Sequence, residues 1–368
     1  MTAWLQERRA VLAAAVGSRV LVLAAAAADH WLHWPKGPPP VHGASTAHTL
    51  SILSYWDGVW YRTVAEQGYL LIPGRQSDPA FFPLFPIVLR ALHGLGLSFL
   101  TSGILVANGA FLVGILVFYE VSRRLLPYDV ARTSAMFAAL FPMSFVFSMT
   151  YPESLVLAAL ALALLFALDG RWTFSAVAGA AAALGRPEAM FFALPLAAIA
   201  IDRARVSGRL AGGRAIGAAF APVASVATFP LYLGWALHNV SAWSLAEHAW
   251  GRSFSLAGVG RAFQQLLERG QSPWLWRDSA FCLIYLALLA AARRVGISWP
   301  WLVASGALIL LPLASGTFLS DARFGVLALP AYWGAGALAR RRVVRLPLLV
   351  VSAGLLVAWT MTIPLANP

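Results

Sequence analysis

Apolar residues run in blocks through this chain, at 10–28, 101–119, 131–150, 153–168, 173–201, 215–237, 279–292, 299–316, 325–339 and 346–364. A helix needs about 20 such residues to cross a bilayer core roughly 30 Å thick. Inside lipid every backbone polar group must find a partner within the structure, and a helix satisfies its own. The blocks therefore dictate an all-α, polytopic membrane bundle of about 10–12 membrane segments. Only 11% of the 368 residues are charged and 60% are hydrophobic, whereas a soluble domain carries about 25% charged residues. Residues 1–368 are expected to form one integral-membrane domain.

A net charge of +12 would suit a nucleic-acid binder, but its distribution does not. The cations fall in short clusters between apolar blocks: Arg8/Arg9, Arg123/Arg124/Arg132, Arg171, Arg203/Arg205/Arg209/Arg214, Arg293/Arg294 and Arg340/Arg341/Arg342/Arg345. That is the pattern of cytoplasmic loops, and it argues for a bilayer partner and no nucleic acid. The stretch from Ala10 to Ala28 is longer than a signal-peptide core and Arg19 interrupts it, so it reads as an uncleaved first membrane helix. Cys282 is the single cysteine and reads as core packing.

All the Arg clusters share one side if two conditions hold. The piece 81–98, with Pro83, Pro86 and Arg90, must not cross. The run 173–201 must turn back at Gly185-Arg186-Pro187-Glu188, where proline removes a helix hydrogen bond. If both segments cross instead, Arg123, Arg124 and Arg171 move to the other side. In the first arrangement the extracytoplasmic side receives 29–80, 150–153, 186–188, 239–277 and 317–324. Nine of the fifteen acidic residues fall there, and a tenth, Asp278, borders 239–277. The cytoplasmic loops leave no room for a nucleotide-binding domain, and no glycine-rich phosphate motif follows a strand.

Two outer loops are long. The first, 29–80, holds a Pro/Gly linker at 35–43 and a segment, SYWDGVWYRTVAEQGY, at 54–69. Trp56, Val59, Trp60, Thr63, Val64 and Gln67 follow helical spacing there and predict an interfacial amphipathic helix. The second, 239–277, holds two more amphipathic pieces, WSLAEHAW with Trp243 and Trp250, and GRAFQQLLERG. Asp57 admits two readings. Ser54 and Asp57 have the spacing of a helix-capping pair. Equally, a carboxylate flanked by Trp56 and Trp60 is placed to act as a base beside rings that suit a sugar face. The FFPLFP stretch at 81–86 reads as the start of a helix that walls a lipid groove, or as an ordinary apolar helix start. Glu188 could neutralise Arg186 and Asp321 could neutralise Arg323; otherwise these arginines could hold an anionic lipid head. The seven histidines include no H-x-x-x-H pair, so neither a metal nor another cofactor is expected. No G-x-S-x-G occurs.

WDGVWYRTVAEQGY, AFFPLFP, Asn108-Gly109, FPMSFVFSMTYPES, LGRPEA and ARFGVLALP stand in one order over about residues 50–330. This order resembles the PIG-V-like mannosyltransferases, a family that adds a mannose in GPI-anchor assembly and is of the GT-C glycosyltransferase type. Trp60, Pro152 and Glu188 depart from the residues common in that family. The resemblance implies an inverting, metal-independent transferase on the extracytoplasmic side of the cell membrane. Its donor would be a polyprenyl-phosphate sugar, with mannose expected, and its acceptor a lipid or glycan hydroxyl. Asp57 matches the family's acid and would be the general base. Arg186 and Arg323 would bind the donor phosphate, and Trp56, Trp60, Tyr61, Phe82, Tyr151 and Glu153 are the matching candidates for substrate binding. A transporter or flippase without bond chemistry, or an assembly subunit, remains the alternative; a transporter would place its ionisable groups near the midplane in repeated halves, and no internal repeat is evident.

Overall fold

A computed structural model describes residues 3–33, 43–208, 210–252, 255–268 and 272–365. The expected linker at 35–43 lies outside them apart from Gly43. Among the described residues there are sixteen α-helices, short 3-10 turns and no strand. The protein is an all-α, multi-pass membrane bundle.

The first helix, α1 (Ala3–His33), is followed by α2 (Asp57–Gln67), α3 (Leu84–Gly94), α4 (Phe99–Leu125) and α5 (Tyr128–Leu140). Next come α6 (Glu153–Leu168), α7 (Trp172–Gly185), α8 (Ala193–Ser207) and α9 (Gly213–Leu237). The short α10 (Ala242–Ala249) and α11 (Leu256–Leu267) precede α12 (Pro273–Arg294), α13 (Trp299–Leu310), α14 (Asp321–Phe324), α15 (Leu329–Leu338) and α16 (Arg342–Thr360).

Among the described residues five helices are long and apolar enough to cross a membrane: α1, α4, α9, α12 and α16. A sixth span is counted if α5 and the 3-10 turn after it are taken together, and four further apolar helices are shorter. The sequence suggested 10–12 segments because apolar character continues through breaks that stop the helices. Proline makes two of those breaks by one rule: the residue before a proline is pushed out of the helical region. Phe141 before Pro142 adopts φ −56°, ψ 142°, and the apolar run 131–150 bends there by 69°. Arg186 before Pro187 is extended at φ −149°, ψ 126°, and α7 ends. The bend after α5 is gripped by Arg19 of α1, whose guanidinium donates to Ser144 O at 2.9 Å and Ser148 Oγ at 2.8 Å and lies 3.9 Å from the Phe111 ring centre.

Ion pairs gather the arginine clusters at one end. Arg8 pairs with Glu120 and Arg123 with Glu7, while Arg124 reaches Asp169 at 3.2 Å. Arg203 donates to Leu168 O at 2.6 Å, so α8 returns to the end from which α7 starts. This is the first of the two chain paths considered above. At 11 residues α3 spans about 17 Å, too short to cross. Close packing holds the helices together: a side chain at Gly334 of α15 would overlap Leu288 O of α12, and one at Gly336 would overlap Ser134 of α5. Small residues allow such approach where lipid supplies no hydrophobic drive.

Candidate active site

The opposite end collects the acidic motifs. There α2 begins abruptly at Asp57. Trp56 before it sits at φ 59°, ψ −120°, a conformation that costs a non-glycine residue about 1–3 kcal/mol. Its indole holds it by donating to Ile363 O, just beyond α16, at 2.7 Å. Gly58 is required by proximity, since a side chain there would meet Thr150 Oγ1 at 2.5 Å. The anticipated capping pair does not form: Ser54 Oγ donates to Ser51 O at 2.8 Å. The buried face of α2 is Asp57, Gly58, Tyr61, Val64 and Ala65, one position round from the expected stripe. In this register α2 turns its carboxylate into the protein.

Arg323 explains that register. Its Nη1 donates to Asp57 Oδ2 at 2.6 Å, and its Nε lies 3.6 Å from Glu153 Oε1. Arg186 pairs with the same Glu153 oxygen and more loosely, at 3.4 Å, with Glu188. Five charges from four parts of the chain thus interlock, three carboxylates against two guanidiniums. The Tyr151 hydroxyl accepts from the Asp57 N–H at 3.2 Å and donates to Tyr55 O at 3.2 Å. Burial, and next the Asp57 charge, raise the Tyr151 pKa well above the ordinary range, so the phenol stays a donor. Burial alone would lower the Arg323 pKa, but Asp57 and Glu153 outweigh it and the net direction is up. Asp321 is not the partner of Arg323. Both its carboxylate oxygens are buried with no hydrogen-bond partner among the described residues, and burial, with Asp278 next, pushes its pKa up to about 9.

Asp57 opens onto a cavity of about 430 Å³, in the range of small-molecule sites. Glu188, Trp243, Glu247, Trp250 and Arg252 also line it. Of the residues selected from the sequence, Asp57 alone is on that lining. The others form the layer behind it. Trp56 and Tyr151 brace the α2 start, and Glu153, Arg186 and Arg323 make the charge cluster. Trp60 stacks on Phe81 at 5.7 Å and meets Trp250 edge-on at 5.3 Å. Tyr61 is buried against Phe81 and Phe85, and Phe82 against Phe229 and Trp243. Sequence reading placed Trp243 and Trp250 only at the interface. Their seven-residue spacing along one helical face, with Glu247 between them, was the available signal. A separate groove of about 290 Å³ is walled by Pro83, Pro86, Ile87, Phe229 and Tyr232; the FFPLFP prolines therefore face an apolar channel. Among the described residues no cluster of three His, Cys, Asp or Glu is placed to hold a metal ion.

No protein-family model matches the chain, and no curated protein is similar to it. Solved structures with a similar course include an oligosaccharyltransferase from Archaeoglobus fulgidus, AglB, in complex with an inhibitory peptide and a dolichol-phosphate. It is 12% identical with a TM-score of 0.49, over 98% of this chain and 56% of that one. The Archaeoglobus fulgidus oligosaccharyltransferase in its apo form gives 11% and 0.46, over 96% and 55%. This chain thus spans about half the length of those proteins, and the likeness is distant.

Proposed function

We propose that this chain is a GT-C-type membrane glycosyltransferase. It moves a sugar, with mannose the expected one, from a polyprenyl-phosphate donor to a hydroxyl of a lipid or glycan acceptor. The observation that carries the reading is Asp57: a carboxylate on the wall of a cavity that also presents two tryptophans, with one oxygen, Oδ2, fixed by Arg323. Among the described residues that is the sole hydrogen bond made by its carboxylate. A base so oriented can take the acceptor proton. The acceptor oxygen then bonds to the anomeric carbon from the face opposite the phosphate, the carbon–oxygen bond to phosphate breaks, and the electron pair leaves on the phosphate. Configuration inverts. Trp243 and Trp250 offer flat faces to the sugar. Arg323 holds the base in place from behind the cavity wall. The arginine-rich end would be cytoplasmic, which puts the cavity on the extracytoplasmic side.

The test is sugar transfer from polyprenyl-phosphate mannose by purified protein, supplied with membrane lipid extract as acceptor. Asp57→Asn should lower the rate about 10²–10⁴-fold, the range of a lost general base, with unchanged elution on size exclusion. Undiminished transfer by that variant would falsify the assignment.

A further inference from the structure

We infer that the donor's phosphate is bound by Arg252, on the arm formed by α10 and the turn after it, with Glu247 as its resting counter-ion; this rests on the transferase reading above. Sequence reading gave the phosphate to Arg186 and Arg323. Both are buried, at 8% and 2% exposure. Both are already held by carboxylates, and neither lines the cavity. The five-charge cluster also carries one more negative charge than positive, so it is a poor receptor for another anion.

Arg252 differs in each respect. It is on the lining of the cavity that contains Asp57. Its side chain is 35% exposed, and its one ion pair among the described residues, to Glu247 Oε2, is 3.4 Å long. A tight charge-assisted pair is nearer 2.7–2.9 Å. The planar guanidinium fork matches two phosphate oxygens, which a spherical ammonium does not. Glu247 is suited to yield. Its side chain is 14% exposed, and burial raises its pKa in spite of Arg252, so the site does not favour the charged carboxylate.

The arm is positioned to receive a sugar phosphate. Trp243, Glu247 and Trp250 follow one helical face. Trp250 is anchored, its Nε1 donating to Ser77 O at 3.1 Å and its ring packed edge-on against Trp60 and Phe81. Trp243 packs edge-on against Phe82 at 5.2 Å. Aromatic rings for the sugar and a cation for its phosphate thus share one wall, while the base comes from α2.

Farnesyl phosphate serves as a short polyprenyl phosphate and farnesol as its uncharged control. Binding to the full chain in detergent is read by calorimetry. Wild-type protein should prefer farnesyl phosphate. Arg252→Ala should weaken that ligand about 10- to 100-fold, as expected for hydrogen bonds to a charged group, and leave farnesol unchanged. Glu247→Gln should tighten farnesyl phosphate, which a purely structural pair would not do. Equal affinity of Arg252→Ala and wild type, or selective loss in Arg186→Gln instead, overturns the assignment; so does wild-type protein that does not distinguish the two ligands. If Arg252-dependent phosphate binding is found and no sugar is transferred, the anion site stands and the transferase reading falls.

Discussion

Removing Arg323 tests whether the charge cluster is one unit. At 2.6 Å from Asp57 and 3.6 Å from Glu153, its attraction to them amounts to about 6 and 5 kcal/mol at an effective dielectric constant near 20. Desolvation offsets most of this, because all three groups are buried. Substitution exposes the asymmetry: Arg323→Gln leaves Asp57 as a buried carboxylate without its cation, a loss of about 3–5 kcal/mol. Glu153 keeps Arg186 and contributes less. Asp57→Asn alone strands part of the Arg323 charge, although Glu153 still answers it. In the double variant the two introduced amides can share a neutral hydrogen bond. The double loss should therefore fall below the sum of the single losses by about 2 kcal/mol or more, against about 0.5 kcal/mol for independent sites. Equilibrium unfolding in detergent micelles, followed by tryptophan fluorescence, measures all four proteins. Additive losses would show that the two side chains do not support one another, and the argument that Arg323 sets the register of α2 would fail with them.

Asp321 gives a pH dependence. Its folded pKa, raised to about 9 from 3.8, means that the folded state holds a proton the unfolded state releases. Stability should fall as pH rises from about 4 to 9, by at most about 1.4 kcal/mol per unit. Asp321→Asn should flatten that slope in unfolding runs at about pH 6, 7 and 8, inside that window; an unchanged slope would refute the assignment. Gly334→Val would drive a side chain into Leu288 O between α12 and α15 and should cost about 1–3 kcal/mol, as overpacking does. A wild-type unfolding midpoint would contradict that close packing.

The membrane class and the gathering of arginines at one end were legible in the sequence, because hydropathy and charge act over tens of residues. So was the reversal at Gly185–Pro187, since proline acts on its own neighbour. The α2 register was not. An 11-residue helix with aromatics on several faces has no clean stripe, and burying Asp57 makes sense only once Arg323, 266 positions away, is beside it. The same distance hid the true partner of Arg323, for which Asp321 was the nearer guess along the chain. The residues behind the cavity were found through motifs, whereas Glu247 and Arg252, which line it, sit in or just after WSLAEHAW, which read only as an amphipathic piece.

The shortness of α7 bears on where the donor of the proposed reaction would have to travel. With 14 residues, α7 rises about 21 Å from the cationic end, against a hydrocarbon core of roughly 30 Å. Arg186 and the carboxylates around it therefore stand at the end of a helix shorter than that core is thick. If the proposed function holds, a polyprenyl chain sliding in the plane of the leaflet would meet them without being lifted. Each methylene drawn into water would cost about 0.8 kcal/mol, so a chamber below the headgroups would let such a donor arrive by lateral diffusion alone. The enclosing protein keeps the chamber's charges apart from the acyl chains.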